Sequence, residues 1–200
     1  MRPFGRLLEE SASLHGHLCP GQVLGVRLAM LGCLRVGIEE PAQSKDLIVY
    51  VEIDRCATDA VQAVTGCKLG KRTLKFFDYG KVAATFLNQD TGDAVRVVAR
   101  DDARDAAWRY AEQGLDKKAV QLRAYEQMPD EELFTVTSVR VDVPEHDLPG
   151  RPMRRVTCGV CGEGVNDARE VRLQSQILCR ACAHGTYYGA LEPAVDLAGA

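Results

Sequence analysis

Apolar positions recur at helical spacing through the first 36 residues, in two different patterns. Phe4, Leu7, Leu8 and Leu14, set among Glu9, Glu10 and Ser11, predict a short amphipathic helix that stops at Gly16. Residues 20–36 are apolar nearly all round, which predicts a buried central helix opened by Pro20 with Cys19 as its N-cap. Gly25 and Gly32 lower the helix propensity of that stretch, so their expected role is close packing. Residues 47–53 are short, β-branched and largely apolar, and read as a strand. A helix over 57–64 follows, ended by Gly66. Residues 73–77, 81–87 and 94–99 read as three further strands, separated by turn-like segments at 78–80 and 90–93. Helices are expected over 103–113, capped by Asp101 or Asp102 and ended by Gly114, and over 117–127, stopped by Pro129. Residues 133–143 alternate as a strand. Helix, helix, strand, helix, strands, helices, strand is the order of an α+β domain with a mixed or antiparallel sheet, not of a regular βαβ alternation.

The segment 144–152 holds three prolines and one glycine and is the best linker in the chain. We therefore expect a core over residues 1–145, a linker over 146–153, a small module over 154–189 and a tail over 190–200. The first part is long enough to bury a core of its own; the module is not, and needs a metal or disulfides. The formal net charge is −3, with the small basic excess confined to residues 151–200. That balance argues against a dedicated nucleic-acid binder. The apolar runs fall short of a membrane span, and the N-terminus does not read as a secretory signal. A cytoplasmic protein is the expectation, and there eight cysteines are expected as ligands or catalytic groups rather than disulfides.

Cys158-x-x-Cys161 and Cys179-x-x-Cys182 are separated by seventeen residues, with short strands expected at 169–173 and 176–178 between them. Each pair can form a tight knuckle, and four thiolates at this spacing make a closed tetrahedral zinc site, a zinc ribbon. The alternative is two redox-active pairs or disulfides. A closed site has no vacancy, so its expected role is structural. Arg151, Arg154, Arg155, Arg169, Arg172 and Arg180 make the module locally basic, as a partner surface or as a solvated face.

His15-Gly-His17-Leu-Cys19-Pro-Gly21 concentrates two of the four histidines with a cysteine at a helix start. Cys56 lies where the first strand gives way to a helix. Helix N-termini favour thiolates, the form that binds metal or attacks. His17, Cys19 and Cys56 would supply three ligands and leave a fourth position open, the pattern of a reactive site. Asp59, one turn after Cys56, is a candidate base or a partner for a ligand. The competing reading is that these are packing residues. Cys33 reads as core, and Cys67 as a redox partner of Cys56. Residues 66–72 carry two glycines with Lys68, Lys71 and Arg72, which suits an anion-binding loop or an ordinary helix-to-strand turn.

These residues also carry a resemblance. His15-Gly-His17-x-Cys19-Pro-Gly21, then Glu52-x-Asp54-x-Cys56-x-x-Asp59-Ala-Val-Gln62-x-x-Thr65-Gly66-Cys67, then Gly70-Lys71 and Asp78-Tyr79-Gly80-Lys81, resemble the formylmethanofuran dehydrogenase E-subunit family. The resemblance implies an α+β core that binds a metal through the His-x-His-x-Cys stretch and the later cysteine, often with a C-terminal zinc ribbon. It implies homodimers. It also implies association with a molybdenum or tungsten dehydrogenase that fixes carbon dioxide onto methanofuran, although many members occur outside methanogens. The cluster motifs of some relatives are absent, which argues against electron transfer by this chain itself.

Three functions follow. The first is a metal-dependent enzyme or accessory subunit of a molybdenum or tungsten oxidoreductase system. Zinc or iron would sit on His17, Cys19 and Cys56, with His15, Cys56 and Asp59 as catalytic candidates and Lys68 and Lys71 holding an anionic substrate or cofactor. The second is a non-enzymatic metal or cofactor carrier. The third is a regulator whose ribbon, with its structural zinc, touches nucleic acid.

Overall fold

The buried axis of the core is α2 (Pro20–Arg35), apolar through its middle except for Arg27, which hydrogen-bonds the Tyr125 carbonyl and pairs with Asp130. In this computed structural model, which describes residues 1–110 and 114–189, the chain forms two compact units, Met1–Val143 and Pro144–Ala200. Helix α1 (Phe4–His15) and helix α3 (Cys56–Thr65) pack against α2 and against each other. Side chains larger than hydrogen are excluded where α2 is tightest. A Cβ on Gly25 would lie 2.6 Å from the Ala60 Cβ of α3, and one on Gly32 would lie 2.1 Å from the Phe86 ring.

The sheet runs β2–β1–β3–β4–β5, with β1 (Leu47–Val51), β2 (Leu74–Phe76), β3 (Ala83–Asn88), β4 (Ala94–Ala99) and β5 (Phe134–Ser138). Only the β1–β2 pair is parallel, so the sheet is mixed and the fold is α+β. Val49, Phe86 and Val95 are in register across β1, β3 and β4, and form the face that packs on the helices. Alternation sends Ile48, Leu87 and Ala94 to the other face, where Val139, Val141 and Val143 cover them. The strand expected over 133–143 thus stops early: the chain leaves the ladder after Ser138 and lays its valines over the second face. The apolar alternation survives because the burial does.

The helix expected over 103–113 is shorter and broken. It is α4 (Ala103–Ala106) followed by a 3-10 turn, Ala107–Tyr110, with residues 111–113 outside the described part. Asp102 does not cap it, because its carboxylate accepts two hydrogen bonds from the Arg100 guanidinium, at 3.0 and 2.7 Å. Asp116 does cap α5 (Lys117–Gln127), accepting from the Ala119 N–H at 2.8 Å. A one-turn helix, α6 (Asp130–Leu133), precedes β5.

The second unit holds two hairpins, β6 (Arg155–Thr157) with β7 (Gly164–Asn166) and β8 (Val171–Leu173) with β9 (Gln176–Leu178), then a short helix α7 (Arg180–His184). The first hairpin carries no β-branched run long enough to announce a strand; Cys158 and Cys161 sit in its turn. Among the described residues no helix is long and apolar enough to cross a membrane.

Candidate metal centres

The four sulfurs of Cys158, Cys161, Cys179 and Cys182 lie within 4.8 Å of one another. The Cys161 and Cys179 sulfurs are 3.9 Å apart. A tetrahedral four-thiolate zinc site with bonds of about 2.3 Å requires sulfur separations of about 3.8 Å. The backbone amides already serve the sulfurs: Cys179 N–H donates to the Cys158 sulfur at 3.2 Å, and Cys182 N–H to the Cys179 sulfur at 3.3 Å. Amides of Cys161 and Cys179 hold the Cys158 thiol down to about 6. Hydrogen bonding to the Cys179 sulfur, with burial, pushes Cys182 up to about 12. This is a zinc ribbon, and its basic face is partly committed. Arg154 and Arg172 pair with Glu170, and Arg169 with Asp147 at 2.6 Å.

The N-terminal constellation is built at the meeting of three helix ends. Gly16 closes α1 with φ +91°, a conformation that costs glycine little, and this turns the chain so that His17 and Cys19 come back over His15. The two imidazole rings lie 4.6 Å apart between centroids. The donor atoms of His15, His17 and Cys19 lie within 4.8 Å of one another. Cys56, the first residue of α3, meets Cys19 across Gly21: a Cβ built on Gly21 would sit 3.7 Å from each sulfur and only 2.9 Å from the Cys56 Cβ. Glycine at 21 is therefore what lets the starts of α2 and α3 touch.

His15 carries the clearest chemical signal. Its Nδ1 lies 2.7 Å from Asp59 Oδ2. A carboxylate accepts, so Nδ1–H donates to it, and the ring nitrogen left to meet an ion is Nε2. That Nε2 is buried and has no hydrogen-bond partner among the described residues. A buried polar atom left this way is costly unless something occupies it. A carboxylate behind an imidazole is also how proteins orient a metal-binding histidine.

Cys56 is not held as a thiolate in this arrangement. Burial pushes its thiol up first, the neighbouring Cys19 thiol and Asp59 add to the rise, and the backbone N–H groups at the helix start only partly oppose it. The expectation that the helix N-terminus ionises this sulfur is corrected: desolvation and a second sulfur outweigh the amides. A cation would reverse the balance.

Two residues to which the sequence assigned no place in the site, Ser11 and Gln22, hold it together. Ser11 donates to Gln22, and Gln22 Nε2 donates to the Cys56 carbonyl at 2.6 Å, so a buried polar chain joins α1, α2 and α3 directly behind the sulfurs. The signal was present in the sequence: Gln22 is a polar residue in the first turn of a largely apolar helix. Glu52, by contrast, takes no part, because Arg96 holds it with two hydrogen bonds of 2.6 Å.

Cys67 is not a partner for Cys56. It is buried beyond the far end of α3, about 15 Å along the helix by its rise per residue. Its thiol points at the Leu47 carbonyl, at 3.8 Å, and it neighbours Cys33 in the core. Lys68 and Lys71 are exposed at that same far end, around a 3-10 turn Leu69–Lys71, and do not border the N-terminal site.

Known proteins bear on these observations. A crystal structure of a tungsten formylmethanofuran dehydrogenase E-subunit (FmdE)-like protein from Syntrophus aciditrophicus superposes with a TM-score of 0.61 at 20% identity, covering 92% of this chain and 94% of that one. It shares the fold. A curated relative from Archaeoglobus fulgidus, described as a probable S-adenosyl-L-methionine-binding protein, is 31% identical over 201 aligned residues. That alignment covers 92% of this chain and 54% of the relative, so the chain spans about half the length of that protein. The family described as "FmdE, Molybdenum formylmethanofuran dehydrogenase operon" matches residues 14–138, which contain the whole N-terminal constellation and the whole five-stranded sheet. With two clusters of metal-ligand side chains placed on that fold, this metal-binding chain belongs to the FmdE family.

Proposed function

We propose that the chain is a metal-dependent enzyme, or a metal-bearing accessory subunit, of a molybdenum or tungsten oxidoreductase system, working as a homodimer. The working ion is held by His15 Nε2, His17 and Cys19, with Cys56 as the fourth and exchangeable ligand. The observation that carries this reading is the buried His15 Nε2, unpartnered among the described residues, on a ring grouped with His17 and the Cys19 sulfur, with Asp59 behind the ring and Cys56 meeting Cys19 across Gly21. A divalent ion there supplies Lewis-acid chemistry, and nitrogen plus sulfur donors suit zinc or iron. Asp59 fixes the His15 tautomer. Cys56, with its raised thiol, is the group that gives up a proton on binding and takes it back on exchange. The ribbon holds a second, structural zinc.

The test is metal content per chain in the wild type, in Cys19→Ala and in Cys158→Ala. About two ions are expected, with each variant losing a different one. Full retention in Cys19→Ala would sink the N-terminal site as a metal centre and leave a reactive thiol.

A second reading is a small-molecule or metal carrier. The Archaeoglobus relative favours it, since its description names S-adenosyl-L-methionine binding. Equilibrium dialysis with that compound separates the two: binding without turnover supports a carrier.

A further inference from the structure

A cleft opens on the Cys56 side of the N-terminal constellation. One cavity, about 270 Å³, is lined by Gly21, Cys56 and Tyr125 with Arg55, Arg104 and Lys117. A second, of about 460 Å³, shares Leu24, Val82, Arg104 and Tyr125 with it and adds Lys81. The floor is therefore apolar and the rim cationic. Such volumes are those of sites for small organic ligands.

The charges on the rim divide into two sets. Arg96 and Arg100 also line the second cavity, but Glu52 and Asp102 neutralise them. Arg55, Lys81, Arg104 and Lys117 form no ion pair among the described residues, and the sole acidic residue on the lining is Asp101. In a chain of net charge −3, four cations without ion pairs against the single carboxylate of Asp101 are a local concentration against the overall sign. Arg104 is close enough to the buried Tyr125 to oppose the rise that burial causes in its hydroxyl, so guanidinium and phenol face the same space.

We infer that this cleft binds a small anionic molecule with an apolar body, its anionic head between Arg104 and Lys117 and its body on Leu24, Val82 and Tyr125, next to Cys56. That such a molecule is the substrate of the N-terminal ion rests on the function proposed above; the anion binding itself does not. A phosphate or a carboxylate head meets the same cations. The exposed Lys68–Lys71 loop lacks an apolar floor of this kind and lies at the other end of α3.

The experiment titrates the zinc-loaded full chain by calorimetry with phenyl phosphate, with benzoate and with the neutral benzyl alcohol. At least one anion is expected to bind, about tenfold or more tighter than benzyl alcohol, and to weaken with added salt. The stronger of the two anions identifies the head group. Arg104→Gln/Lys117→Gln is expected to weaken that binding about tenfold or more while circular dichroism and metal content stay as in the wild type. The proposal is overturned if no anion binds, if benzyl alcohol binds as tightly, or if the double variant binds as the wild type does. It is overturned equally if Lys68→Gln/Lys71→Gln abolishes binding instead. Metal content in Cys19→Ala is a separate readout, so failure of the metal centre and failure of the anion cleft are told apart.

Discussion

The two cysteine-bearing clusters are built in opposite ways. In the ribbon, hairpins of three-residue strands surround four sulfurs, and Cys158 and Leu178 are its buried hydrophobic residues. There is little else for it to fold around, so the ion is the core. At the N-terminal site the ligands stand at the ends of helices that are already fixed by Leu7, Val26, Val61 and Phe86 in a continuous apolar core. There the fold comes first and the ion is added to it. The comparison teaches that two clusters of metal-ligand side chains in one chain can carry unequal structural weight, and that weight follows the apolar area around the ligands.

The largest effect that would break this comparison is loss of the ribbon ion. Cys158→Ala, or a strong chelator, is expected to unfold residues 154–189 while the core keeps its melting transition. Structural zinc contributes about 10–16 kcal/mol in small modules. Heteronuclear NMR resolves the two units; a core that melts with the ribbon would contradict their independence. Cys19→Ala is expected to remove the other ion with a small change in core stability.

Next in size is the helix contact that the N-terminal site depends on. Gly25→Ala places a Cβ against the backbone of Ala57 at 2.7–2.8 Å, which neither helix can yield cheaply. Overpacking of this kind costs about 1–3 kcal/mol. Urea denaturation should show that loss for the core transition alone. Gln22→Leu is expected to cost about 1–3 kcal/mol, because Ser11 and the Cys56 carbonyl lose a buried partner.

A subtler change is Asp59→Asn. It keeps the fold and the ribbon zinc but loosens His15, and should weaken N-terminal metal affinity about 10–100-fold in a chelator competition. If affinity is unchanged, the Asp59–His15 pair serves only as a surface ion pair.

The smallest effect is a difference in pH response. Cys56 has a thiol raised above its ordinary value, so at neutral pH the metal-free site holds that proton. Metal uptake must release it, and apparent affinity should rise with pH by about tenfold per unit from this group across pH 6–8. In the ribbon Cys158, held down to about 6, adds slope only near and below that value, but Cys182, pushed up to about 12, and the raised Cys161 keep their protons across this range and must release them on zinc uptake, so the ribbon is expected to show the steeper rise. Proton release on zinc addition in weakly buffered solution measures both.

Much of this was legible in the residues. Helix α5 and the bounds of β4 follow from local spacing and turn chemistry, and Pro20 and Gly16 mark the helix ends that frame the site. The four ribbon cysteines were legible because a knuckle is a local structure: two residues between sulfurs fix its geometry whatever surrounds it. Less legible was the break after α4, where Asp102 turns to Arg100 rather than capping, since two nearby partners compete for one carboxylate. The end of β5 was also hidden, because alternation describes burial on either face of a sheet and cannot say when a chain leaves the ladder.

Sequence by itself therefore determined the α+β order, the ribbon and the identity of the site-forming stretch, all of which depend on neighbours within a few turns. Only the tertiary structure decided that His15 joins His17 and Cys19, that Asp59 stands behind it, that Cys56 reaches Cys19 through the gap at Gly21, and that Cys67 and the Lys68–Lys71 loop are elsewhere. The reason is physical. The pairings of Asp59 with His15 and of Cys56 with Cys19 span more than thirty residues and depend on how closely three helix ends approach, which is set by side-chain volume in the core rather than by any local pattern.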